Sequence, residues 1–119
     1  MLSDVKRQPR MPNPARKSLG EKLRAALLDL AGGHGTVERH AERSWASITF
    51  AGTRHTVDLA FEGDDAIAAA ERLIAELPDH EFAIPGQLVA DAIMISIDHA
   101  MLPNPRLDVT VELLLLEEG

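Results

Sequence analysis

Apolar positions along this chain recur in two rhythms, one helical and one extended. Leu19, Leu23, Ala26, Leu27 and Leu30 come every three to four residues, the spacing that lines one face of a helix. Ser18 and Glu21 stand before them as an S-x-x-E capping box, which satisfies two backbone donors at the helix start. Gly32 and Gly33 follow, able to take the left-handed conformation that ends a helix. A second helical stripe is formed by Ile67, Ala70, Leu73, Ile74 and Leu77, with Glu71, Arg72 and Glu76 turned to water. Gly63-Asp64-Asp65 opens it with negative charge at the positive end of the dipole, and Pro78 stops it.

The extended rhythm has period two. Ala46, Ile48 and Phe50 alternate with Ser47 and Thr49, and Val57, Leu59 and Phe61 alternate with polar or small neighbours. Ala51-Gly52 between them reads as a two-residue turn. That register sets Ile48 opposite His55 and Ala46 opposite Val57, with His55 on the apolar face. Val37–Ser44 is polar on both faces and reads as an extension of the first strand. Trp45 points inward only if a bulge shifts the phase. A second hairpin closes the chain. Val89, Asp91, Ile93, Ile95 and Ile97 share one face of its first strand, and Leu107, Val109, Val111, Leu113 and Leu115 one face of its second. Pro103 and Pro105 sit in the connection.

The predicted order is α-β-β-α-β-β. Its natural packing is a two-layer α+β domain, with two helices on one face of a four-stranded, mainly antiparallel sheet. The domain is expected over residues 18–119. Residues 1–17, with Pro9, Pro12 and Pro14 and no apolar period, read as a flexible basic tail.

Charge sharpens that division. Residues 1–24 carry seven basic and two acidic side chains, and the rest of the chain five and seventeen, within a net charge of −7. An acidic body repels nucleic acid, which leaves only weak, salt-sensitive attachment through the tail. There is no Tyr and a single Trp, so a base-stacking sheet is not expected either. With no Cys, disulfides and thiolate sites are excluded. No apolar run reaches the length of a membrane span, and a cytoplasmic, bacterial protein is expected. No family is identified from these motifs.

Candidate chemistry is sparse. Ala31-Gly32-Gly33-His34-Gly35 follows a helix instead of preceding one, so it is a helix end and not a phosphate loop. The histidines, His34, His40, His55, His80 and His99, show no paired helical metal spacing. The best site available to a metal-dependent or small-ligand enzyme, between helices and sheet, combines His55, Asp91 and His99 on the nominal core face. Asp91 is better explained as the wet start of its strand, and neither metal nor cofactor is expected. Ser44, Ser47 and Ser96 lie in strand-like segments, not on nucleophile elbows.

One feature stands out. The sheet face away from the helices should be polar, yet Ala90, Ala92 and Met94, with Leu114 and Leu116, fall there by strand period. Apolar patches of this kind mark partners. The expectation is an interaction or assembly protein, a homodimer formed through Met94, Leu114 and Leu116, with any other protein partner unknown.

Overall fold

The computed structural model describes residues 18–118, so the basic tail lies outside the described residues. Helix α1 spans Leu19–Leu30 and helix α2 Asp64–Glu76, the latter followed by a 3-10 turn at Leu77–Asp79. The strands are β1 Thr36–Ala46, β2 Ala51–Glu62, β3 Gln87–Ala100 and β4 Arg106–Glu117. The order α-β-β-α-β-β is the expected one, and the four strands form one antiparallel open sheet in the order β1-β2-β4-β3.

The capping box at the start of α1 forms in both directions, Glu21 N–H to Ser18 Oγ at 3.1 Å and Ser18 N–H to Glu21 Oε1 at 3.0 Å. Leu23 and Leu27 of α1 are fully buried, as is Leu73 of α2, with Ile67 nearly so. They pack on Val57, Leu59 and Phe61 of β2 and Val109, Val111, Leu113 and Leu115 of β4. The two central strands therefore supply the floor of the core, as their unbroken alternation requires.

The first hairpin departs from the expected register. Ala46 pairs with Ala51, so Ser47–Phe50 is the turn and Val37–Ser44 is the body of β1. Ser47 organises the turn: its Oγ accepts from the N–H of Thr49 and Phe50 at 3.3 and 3.0 Å, and its own N–H donates to Phe50 O at 2.8 Å. Ile48 and Phe50, expected on the apolar face of the first strand, are exposed. Gly52 lies inside β2, where a Cβ would run into the backbone carbonyl of Leu115. It is glycine because two backbones meet closely there, not because the chain turns.

The second hairpin has the expected strands, but the face of β3 is reversed over its middle. Ala92 and Met94 pack against the core, opposite Leu113 and Val111, while Ile93 points away, opposite Glu112. Bulges between Val89 and Asp91 and between Met94 and Ser96 shift the phase twice, which strict alternation cannot anticipate.

Candidate functional site

The register lays out the face of the sheet that the helices leave open. Trp45, Gly52, Leu116 and Leu88 form one row across β1, β2, β4 and β3. The next row is Arg43, Arg54, Leu114 and Asp91, and the third Ala41, Thr56, Glu112 and Ile93. One end of this face is thus apolar, and the rest is mixed, with several of its polar groups paired to one another. Arg54 bonds Glu112 at 3.2 Å, and Thr110 Oγ1 donates to Asp58 at 2.7 Å. Arg106 gathers Asp108 at 2.9 Å, Glu38 at 3.5 Å and Glu62 at 3.6 Å, and the hydrogen bond to Asp108 raises its pKa.

The three expected interface residues do not share this face. Met94 lies on the helix side. Leu114 and Leu116 are on the open face but only 9% and 7% exposed. Arg54 sits directly opposite Leu114 and reaches along β4 to Glu112, which lays its aliphatic stem beside the leucine. The exposed apolar side chains are elsewhere. Leu88, Ile93, Ile95 and Ile97 of β3 are 41–51% exposed, and Met101 and Leu102 in the following loop more so. This strand is an edge of the sheet.

His55, Asp91 and His99 are not brought together. His55 lies under the helices opposite Leu113, and His99 opposite Leu107, six residues away along β4. Asp91 is exposed on the other face. His55 instead meets residues of β1 and, within β2, Thr53. Glu42 is its cross-strand partner, and His40, two residues from Glu42 and so on the same face, reaches it directly. His40 Nε2 lies 2.9 Å from His55 Nδ1, Arg24 from 2.7 Å contacts His40 Nδ1, and His55 Nε2 lies 2.7 Å from Thr53 Oγ1. Gly20 of α1 passes over this group, and a Cβ there would press on Arg24 and His40.

Proton positions follow from chemistry. A guanidinium only donates, so His40 Nδ1 accepts and its proton sits on Nε2. His40 then donates to His55 Nδ1, and His55 Nε2–H donates to Thr53. The chain has one direction and keeps both imidazoles neutral. Burial lowers both pKa values; the neighbouring His55 and Arg24 lower that of His40 further, and Glu42 opposes in each case. His55 is fully buried.

His40, Glu42 and His55 also offer ligand atoms within 4.8 Å of one another, enough to hold a metal ion. A metal on His40 Nε2 would require a proton on Nδ1, where Arg24 can only donate. As packed, the group satisfies itself through hydrogen bonds, and among the described residues no buried side-chain polar atom lacks a partner. Sequence reasoning missed it because His40 and Glu42 lie in the stretch that looked polar on both faces. The signal was the His40-x-Glu42 spacing, legible only with the right hairpin register.

No protein-family model and no curated protein matches the chain. A solved structure shares the fold. It is a chain of the "Virion of native gene transfer agent (GTA) particle", 15% identical, with a TM-score of 0.58 over 83% of this chain and 92% of that one. At that identity the likeness to the virion chain is one of fold. No helix among the described residues is long and apolar enough to cross a membrane.

Proposed function

We propose that this chain is a structural, self-associating assembly protein whose contact surface runs along the β3 side of the sheet. The observation that carries this reading is the distribution of exposed large hydrophobic residues. Among the described residues, six of the eight lie on β3 or in the loop after it: Leu88, Ile93, Ile95, Ile97, Met101 and Leu102. An exposed apolar edge strand invites a further strand or a covering chain. The fold shared with a chain of a gene transfer agent virion, a multi-chain particle, supports an assembly role. The smallest assembly of this kind is a homodimer.

Sedimentation of the full chain tests the proposal. The unmodified protein is expected to associate at micromolar concentration. Ile95→Glu, in an exposed bulge position, should shift it to a smaller species without changing its circular dichroism. A monomer at high micromolar concentration would overturn the proposal.

A further inference from the structure

The two edges of the sheet differ in chemistry. Edge strand β3 carries Asp91 and Asp98 and no Lys or Arg. Edge strand β1 carries Arg39 and Arg43 beside Glu38 and Glu42; the register puts both arginines on the open face, in line with Asp58 and Arg54, and Glu42 on the helix face opposite His55, while Glu38 is held by Arg106. Asp91 and Asp98 lie on that same face, opposite Leu114 and Asp108. On the open face, the β3 edge therefore presents two carboxylates and the β1 edge two guanidiniums, beside a Glu38 that Arg106 already holds.

We infer that copies of this chain join head to tail, the β3 edge of one against the β1 edge of the next. The inference rests on the self-association proposed above and names its geometry. Each neighbouring pair in the sheet is antiparallel, so β1 and β3 run in opposite directions at its two borders. A copy added sideways without being turned over brings its β1 antiparallel to the waiting β3. The helices stay on the same side, and the strand alternation continues across the join.

The bulges select the register. On β3 the regular stretch between them is Asp91–Met94, and on β1 regular pairing begins at Arg39. Continuing the existing rows straight across sets Arg43 of the incoming copy opposite Asp91, Ala41 opposite Ile93 and His40 opposite Met94. Further out, Trp45 meets Leu88 and Val37 meets Ile97. Apolar residues face apolar or neutral ones, Arg43 meets Asp91, Arg39 and Asp98 fall opposite the neutral Ser96 and Thr36, and no like charges are opposed in these rows. A β3-to-β3 pairing around a two-fold axis has no basic partner to offer its aspartates. Head-to-tail contacts are heterologous, so they generate closed rings or open filaments in place of two-fold dimers.

Charge reversal on the full chain tests this. Arg43→Glu and Asp91→Arg are both exposed substitutions, one on each edge. Each alone is expected to weaken association at least tenfold, as truncating or reversing one partner of an interfacial charge pair does. A one-to-one mixture of the two variants should then assemble with alternating copies, because every interface can again pair opposite charges. The double variant should also assemble alone. Melting temperatures check that each variant folds; should a reversal lower one, Arg43→Ala and Asp91→Ala carry the single-variant comparison. Sedimentation and electron microscopy of the unmodified chain should show species larger than a dimer. If Ile95→Glu dissociates the protein but Arg43→Glu does not, the head-to-tail geometry is wrong while self-association stands. A chain that stays monomeric at high micromolar concentration sinks both.

Discussion

Four side chains, Arg24 of α1 and three from the strands beneath it, make the domain sensitive to acid. Arg24, His40, His55 and Thr53 form a hydrogen-bonded series in which both imidazoles must be neutral. Arg24 is the cation facing it from α1, and Glu42 the carboxylate facing it from β1. The folded-state pKa of each histidine is lowered from the ordinary 6.5, chiefly by burial. The unfolded chain thus binds protons first. Stability from these residues is complete above about 6.5 and is lost as the pH falls towards the lowered folded values. A melting temperature that declines as the pH falls from about 6.5 towards 5 is the expected outcome. Thr53→Val removes the acceptor of a buried N–H and should cost about 1–3 kcal/mol at neutral pH. A flat acid profile and an unchanged Thr53→Val melting curve would show the series to be idle.

At the level of elements, the hairpins separate what pattern can reveal from what it cannot. Ala46, Ile48 and Phe50 alternate as well as any strand, yet they run into and through a turn held by the Ser47 hydroxyl. Two variants distinguish the registers. Ile48→Asn should leave stability within about 0.5 kcal/mol, as expected of a fully exposed position. Gly52→Ala should destabilise by about 2 kcal/mol or more, because the new methyl meets the Leu115 carbonyl. The register with Ala51-Gly52 as the turn expects the opposite ranking. The helices were legible because Ser18, Glu21 and Pro78 act locally, and β4 because nothing interrupts its alternation. The bulges of β3 were not legible. They answer to pairing with β4, and an extra residue leaves no mark in the sequence beyond a changed phase. The His40–His55 contact was lost with the first hairpin, since each histidine is unremarkable until the strands are aligned.

Across the whole molecule, the apolar side chains outside the helix-packed core divide into those the domain itself covers and those exposed along β3. Leu114 belongs to the domain, being 9% exposed already. Leu114→Glu should lower the melting temperature, with a loss of about 2 kcal/mol from the buried leucine, and leave the association state of the folded fraction unchanged. Ile95→Glu should do the reverse. Differential scanning calorimetry beside sedimentation reads both, and a Leu114→Glu variant that dissociates without losing stability would return the interface to the middle of the sheet. The number of strands has a consequence of its own. With four strands, each opposed to its neighbour, the two borders of the sheet have opposite polarity. An odd count would give borders of equal polarity, and sideways addition of an upright copy would then set like-directed strands together. Under the head-to-tail geometry proposed above, even parity would let the domain tile without being turned over. It also leaves any open row of copies with one carboxylate end and one arginine end, so a terminating protein needs to match only one of them.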